Sequence, residues 1–184
     1  MPRPPRPCAP GHGLCRRRRH RRFAGALKPY FPAKDDLLTA AFEHVFNRTN
    51  ERIAASVSGK RGLSALVALC REVLPLDEER VNEARIVVPF WQTAMTDQDK
   101  VRFHAESLDQ WRTAIVAYLE QARRAGEITS PVRSEDVAEQ LLTLMVGAQV
   151  LAALSDHAEP PGRFDARLHS YLELLGAQRL GDSG

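Results

Sequence analysis

The chain has 184 residues, 43% of them hydrophobic and 27% charged, which is the composition of one globular domain able to bury a core and excludes a fibrous or collagen-like protein. No run of 18 or more apolar residues occurs, so no membrane-spanning segment is expected, and the arginine-rich start lacks the apolar stretch of a secretory signal. Residues 1–31 hold nine basic and no acidic residues, and the other 153 hold 17 basic and 23 acidic. This uneven charge indicates either a solvated tail or a segment that contacts a polyanion.

The leader, residues 1–23, is rich in arginine and proline and is predicted to be disordered. Two cysteines and two histidines in it could be imagined as zinc ligands: Cys8, His12, Cys15 and His20. Their spacing, C-x3-H-x2-C-x4-H, matches no zinc-finger pattern, so no metal site is expected. The third cysteine, Cys70, lies on an apolar helical face and is predicted to be a buried free thiol. Nothing requires an oxidising compartment, so a cytoplasmic location is expected.

From Lys34 onward the apolar residues recur every three or four positions, which predicts an all-α bundle of about six helices. The predicted helices span residues 34–57, 63–74, 77–96, 98–125, 134–155 and 164–175. Pro89 predicts a kink in the third helix, Thr96 and Ser134 are predicted N-caps, and Gly126 is predicted to end the fourth helix. These helices form a predicted domain over 34–176, followed by a flexible tail, 177–184.

The fifth predicted helix, "VAEQLLTLMVGAQVLAAL", is apolar almost all round, so two of its sides must be covered. Either this helix is central to the domain, or its second face meets another copy of the chain. We favour a homodimer with C2 symmetry, in which the fifth and sixth helices of both copies form a four-helix interface. The predicted interface residues are Leu144, Gly147, Ala148, Leu151, Leu168, Tyr171 and Leu172.

The sequence contains no glycine-rich phosphate loop, nucleophile elbow or HExxH pair. The histidines of the body lie on different predicted elements, without carboxylates at metal-ligand spacing: His44, His104, His157 and His169. We therefore expect no catalytic site, no bound metal and no cofactor.

Aromatic residues beside the predicted kink indicate an apolar ligand pocket among the helices. The predicted lining comprises Cys70, Phe90, Trp91, Met95, Trp111 and Met145, with Gln92, Thr93 and Thr143 as polar contacts. The alternative is that these aromatic and methionine side chains are ordinary core.

The stretch "GALKPYFPAKDDLL", which begins at Gly25, resembles the end of the helix-turn-helix and the start of the next helix in TetR-family transcriptional regulators. Tyr30 and Phe31 correspond to the aromatic pair that closes the recognition helix, so 24–33 would be a remnant of that helix. Downstream, "CREVLPLDEERVNEARIVVPFWQTAMTD" and "QWRTAIVAYLEQARRAGEI" are similar to the ligand-binding domain of the BetI-like branch. The resemblance extends from Gly25 to Leu175.

The resemblance implies a homodimeric repressor that binds operator DNA through its N-terminal helices and responds to a small-molecule effector. By position, Lys28, Tyr30 and Lys34 would contact DNA, and a helix N-terminus with a lysine suits a phosphate. The alternative function is a helical dimerisation or ligand-binding module without DNA binding, which would act by forming mixed dimers with an intact relative.

The leader departs from the family pattern, because a helix-turn-helix needs a first helix that braces the next two. Four of the first seven residues are prolines and no helical periodicity is present, so the family's first two helices are expected to be absent and DNA binding impaired. One hypothesis is that residues 1–23 come from a shifted reading frame or a misassigned start codon. The other is a genuine disordered basic arm that binds DNA without sequence preference.

Overall fold

The computed structural model describes residues 34–155 and 162–177, of which 82% are helical and none is in a strand. This confirms the predicted all-α bundle. The chain divides into two compact units, 1–37 and 38–184, and of the first only the opening turn of one helix is described. The predicted leader, the four possible zinc ligands within it and the recognition-helix remnant all lie outside the described residues, as does all of the predicted tail except Ala177.

Six helices follow one another in the described residues: α1 (Lys34–Val57), α2 (Gly62–Val73), α3 (Glu78–Ala94), α4 (Gln98–Arg124), α5 (Ser134–Leu154) and α6 (Arg163–Leu174). Each begins and ends within two residues of its prediction. Helix α3 continues through Pro89. Its early residues Glu78 and Glu79, like Asp99 in α4, put negative charge in a first turn, where it favours the helix dipole.

Two predicted N-caps are wrong. Asp97, rather than Thr96, caps α4, because its carboxylate accepts hydrogen bonds from the backbone N–H groups of Asp99 at 3.0 Å and Lys100 at 3.3 Å. Ser134 is the first residue of α5, and its buried hydroxyl instead donates to the carboxylate of Glu120. The predicted end of α4 is confirmed, since Gly126 follows it with φ +73°, a conformation that favours glycine.

The main core is built around α2, which packs on α4, and around α5, which packs on both α3 and α4. Leu66 and Leu69 of α2, Leu119 of α4 and Leu141 of α5 are fully buried there. A second, smaller cluster of buried residues joins α1 to the second half of α3: Phe42, Val45, Val87, Phe90 and Ala94. The space between these two clusters becomes the site described below.

The start of α2 sits directly on the end of α4. The backbone N–H of Leu63 donates to the carboxylate of Glu127 at 2.8 Å, and that of Gly62 donates to the Gln121 side chain at 3.2 Å. Gly62 has φ +54°, and a Cβ placed on it would lie 2.3 Å from Oε2 of Glu127. The positive φ favours glycine there, and a Cβ would displace the Glu127 carboxylate that accepts from the N–H of Leu63.

Helix α6 is attached to α2 and α5 by polar contacts around its buried residues Phe164, Leu168 and Leu172. Arg71 donates two hydrogen bonds to Asp165, at 2.7 and 2.9 Å. These bonds from the guanidinium outweigh desolvation and lower the pKa of Asp165.

Helix α5 keeps an uncovered apolar surface on the second half of its outer side. Leu151 is 55% exposed and Leu154 is 76% exposed, and nothing lies within 4 Å of a Cβ placed on Gly147. By length and composition alone α5 could cross a membrane, which a count of consecutive apolar residues does not indicate. A core helix of a water-soluble protein meets the same criteria, so this observation is weak.

Candidate ligand-binding cleft

A cleft opens between the two core clusters, where side chains from all of α1 to α5 meet. It encloses about 600 Å³ of empty space, part of it open to solvent. Little of that space is wide enough for a water molecule, so the cleft is narrow. Its apolar walls include Phe46, Leu108, Trp111, Leu142, Met145 and Val146.

Aromatic rings form one side of the cleft. Phe46 lies against Trp111 with ring centroids 5.3 Å apart, and Phe42 stacks on Phe90 at 4.1 Å. Phe42 itself lines the cleft, whereas Phe90 lies behind it and is fully buried. Ring pairs at these distances are attractive and hold flat surfaces in place, so this wall is preformed.

A network of two arginines and two glutamates closes another side of the cleft. Arg52 donates two hydrogen bonds to Glu83, at 2.8 and 2.9 Å, and a third to Glu72 at 3.2 Å. Arg80 donates to the same Glu72 carboxylate, and Ser56 donates to its other oxygen at 2.7 Å. Arg80 also donates to the carboxylate of Asp77, and the network connects α1, α2 and α3.

The ion network sets the protonation of its members. Burial alone would raise the pKa of Glu72, but hydrogen bonds from Ser56 and Arg80 and the positive charges of Arg80 and Arg52 together lower it. The hydrogen bond to Glu83 is the main cause of a raised pKa for Arg52. Both groups therefore stay charged at neutral pH.

Two buried polar atoms at the cleft have no hydrogen-bond partner: Nε1 of Trp91 and Nδ1 of His104. The two rings are neighbours, with centroids 5.6 Å apart and planes inclined at 53°, and both residues line the cleft. Burial lowers the pKa of His104, which favours the neutral imidazole. In contrast, Nε1 of Trp111 donates to the side chain of Asn50 at 2.8 Å.

Of the predicted pocket residues, the structure brings Trp91, Trp111 and Met145 to the cleft. It does not bring Cys70, which is fully buried in the main core, where desolvation raises the pKa of its thiol to about 12. Nor does it bring Phe90, buried against Phe42, or Met95, which follows the last turn of α3 and is 81% exposed.

The proposed polar contacts also lie elsewhere. The hydroxyl of Thr93 donates to the backbone carbonyl of Phe90, and the hydroxyl of Thr143 donates to the backbone carbonyl of Glu139. Gln92 is exposed. The charged network and His104 are absent from the sequence-based set. The sequence did contain one signal that could have found part of this network. A spacing of three and four residues places four residues on one face of α3: Arg80, Glu83, Val87 and Trp91.

The predicted interface residues fall into two groups. Ala148, Leu168 and Leu172 lie in the protomer's own core, because they close α5 and α6 onto the bundle. Leu144 and Tyr171 are half-buried against the same core, and Gly147 and Leu151 lie on the outer side of α5.

The predicted DNA contacts cannot be placed in the same way. Lys28 and Tyr30 lie outside the described residues, and of Lys34 only the backbone, which begins α1, is described.

A family model described as the C-terminal domain of BetI-type transcriptional repressors matches residues 63–177, more than half of the chain. A transcriptional regulator from Rhodococcus sp. Rha1 is 27% identical and superposes with a TM-score of 0.68, covering 83% of this chain and 79% of that one. No protein of curated function matches the chain.

Two further solved structures establish the fold alone. One, described as a TetR-family transcriptional regulator from Rhodococcus sp., is 16% identical, with a TM-score of 0.61 over 82% of this chain and 79% of that one. The other, a transcriptional regulator from Pseudomonas aeruginosa PAO1, is 19% identical, with a TM-score of 0.62 over 82% and 73%. The family match over most of the bundle and the shared fold lead to one conclusion: the chain belongs to the TetR family of transcriptional regulators, in the branch with a BetI-type C-terminal domain.

Proposed function

We propose that this chain is a cytoplasmic, homodimeric repressor whose affinity for operator DNA changes when a small molecule enters the cleft. The observation that carries the proposal is that helix α1, which begins directly after the recognition-helix-like segment, forms one wall of the cleft. Phe42, Val45, Phe46 and Thr49 of α1 all line it. The family relatives are regulators rather than enzymes, which supports a role in binding rather than catalysis.

An effector acts only through contacts that differ between two states of the protein. An occupant of the cleft touches α1 directly, and Arg52 ties the same helix to α3 through its paired hydrogen bonds to Glu83. A molecule that widens the narrow cleft therefore displaces α1 or breaks these bonds. Either change would alter the helix that leads into the DNA-binding segment.

The uncovered side of α5 supports the homodimer. Leu151 and Leu154 expose 55% and 76% of their surfaces, and Gly147 leaves room for close helix approach. We expect the wild-type chain to be dimeric by size-exclusion chromatography with light scattering, and Leu151→Glu to be monomeric. Met95→Glu, an equally polar change at the exposed residue that follows α3, is the matched control and should stay dimeric. A dimeric Leu151→Glu variant would contradict this interface.

DNA binding is proposed to involve Lys28, Tyr30 and Lys34, whose side chains suit phosphate contacts. A mobility shift with the DNA upstream of the chain's own gene tests it. We expect a shifted band that survives excess unrelated DNA and weakens in Lys28→Ala and Lys34→Ala. Absence of specific binding by an intact dimer would contradict the repressor and favour the dimerisation or ligand-binding module.

Deleting residues 1–23 separates specific binding from a basic arm. Binding that is strongly salt-dependent, independent of sequence and lost on that deletion would identify the leader as the DNA-contacting segment. Specific binding that survives the deletion would favour residues 24–34.

A further inference from the structure

We propose that the cleft binds a small, uncharged aromatic molecule bearing a hydroxyl group, of the phenol class, with its oxygen between Nε1 of Trp91 and Nδ1 of His104. This inference rests on the proposed function, because it specifies the effector for the same cleft.

The two unpartnered nitrogens carry the first step. Buried polar atoms in folded proteins nearly always have a hydrogen-bond partner, and leaving one without costs stability. Here two such atoms belong to neighbouring rings whose centroids are 5.6 Å apart, and both residues line the cleft. A bound polar atom placed between them would satisfy both.

The chemistry of the two nitrogens selects the polar group. The indole N–H of Trp91 can only donate, so the ligand must offer an acceptor. A neutral imidazole can accept or donate at Nδ1, depending on its tautomer. A hydroxyl oxygen accepts from Trp91 and, through its own hydrogen, donates to His104, so one atom meets both demands.

The ion network argues against an anionic ligand. Arg52 and Arg80 are already hydrogen-bonded to Glu72 and Glu83, and Arg80 also donates to Asp77. A carboxylate in the cleft would add a negative charge that none of these arginines is free to pair, and burying such a charge is unfavourable.

The cleft walls argue for a ring. Phe42, Phe46 and Trp111 present flat aromatic surfaces, and Leu108 and Met145 complete an apolar lining around a narrow space. A single aromatic ring that widens the cleft on entering can lie against these surfaces and gains favourable ring contacts. Trp111 adds no polar demand, because its N–H is already bonded to Asn50.

Three probes that share one ring test the inference on the full-length wild-type dimer: toluene, 4-methylphenol and 4-methylbenzoate. Dissociation constants are measured by ligand-observed NMR. We expect 4-methylphenol to bind about tenfold more tightly than toluene, the effect of one to two net hydrogen bonds. We expect 4-methylbenzoate to bind more weakly than 4-methylphenol.

Variants then locate the selectivity. Trp91→Phe keeps the ring but removes the N–H, and should reduce 4-methylphenol affinity severalfold while leaving toluene affinity almost unchanged. Tyr171→Phe is the matched control, since it removes one polar group outside the cleft, the hydroxyl that donates to Gln140, and should keep the preference for 4-methylphenol. His104→Leu gives a second, independent removal of a polar atom and should also reduce the preference.

Several outcomes overturn the inference. Equal binding of toluene and 4-methylphenol, or a preference that survives both Trp91→Phe and His104→Leu, would refute the oxygen site. Tightest binding by 4-methylbenzoate would refute the uncharged class. If no probe binds, this inference fails, whereas the proposed function is still decided by the operator-binding assay. Selective binding that leaves operator affinity unchanged would overturn the proposed function alone.

Discussion

Replacing Phe90 with alanine tests whether this residue, whose ring lies behind the aromatic wall of the cleft, belongs to the core. Phe90 is fully buried and stacks on Phe42 at 4.1 Å with a 13° angle between the ring planes. Replacing a buried phenylalanine with alanine removes apolar contacts and leaves a cavity, which lowers the free energy of unfolding by about 3–5 kcal/mol. The lost ring pair adds about 0.5–1.5 kcal/mol to that cost. Because the neighbouring cleft already offers space into which Phe42 can relax, we expect a net loss of about 4 kcal/mol.

Urea denaturation followed by circular dichroism measures this loss, at one fixed protomer concentration because a dimer's stability depends on it. Met95→Ala is the matched control from the same predicted pocket set. Met95 is 81% exposed, so its removal should change the free energy of unfolding by less than about 0.5 kcal/mol. A loss below about 2 kcal/mol for Phe90→Ala, or similar losses for both variants, would refute the assignment of Phe90 to the core.

Three further predictions concern the bundle itself. In urea titrations, Gly59→Ala should lower the free energy of unfolding by roughly 1–2 kcal/mol, because Gly59 has positive φ. Gly62→Ala should lower it by more, because Gly62 also has positive φ and the space for its Cβ is occupied. Asp165→Asn should cost about 0.5–1 kcal/mol at pH 7 in the same assay, since this carboxylate is partly exposed. Because the pKa of Asp165 is lowered in the folded state, its ion pair stabilises the protein above the pKa of the unfolded state. This stabilisation is lost as the pH falls through the pKa of the folded state. If Asp165→Asn still lowered the free energy of unfolding in strong acid, the ion pair would be contradicted. Replacing the other two cysteines with serine leaves Cys70 as the one thiol that a reagent can label. Cys70 should react only as fast as the protein unfolds, because it is fully buried and its pKa is about 12. Rapid labelling of the native protein would disprove its burial.

The sequence by itself determined the helices. Apolar spacing of three and four residues, acidic first turns and the glycine after α4 are local signals, and each acts within a few residues of where it occurs. The same locality explains the two misassigned caps. Thr96 and Asp97 are both good capping residues, and only the path of the chain into α4 decides which carboxylate or hydroxyl reaches the free N–H groups. Ser134 is drawn instead into contact with Glu120 of α4, a contact that no local pattern reveals.

Only the tertiary structure decided which residues face the cleft. Phe90 and Trp91 are neighbours in sequence and both are large aromatic residues, so composition cannot separate them. On a helix they point about 100° apart, and the position of α1 buries the first against Phe42 and leaves the second at the edge of the cleft. Likewise, the charges beside the cleft come from three helices, Arg52 on α1, Glu72 on α2 and Glu83 on α3, and become one network only when packing brings them within hydrogen-bond distance. Periodicity fixes which side of a helix is apolar, but what that side meets depends on its neighbours.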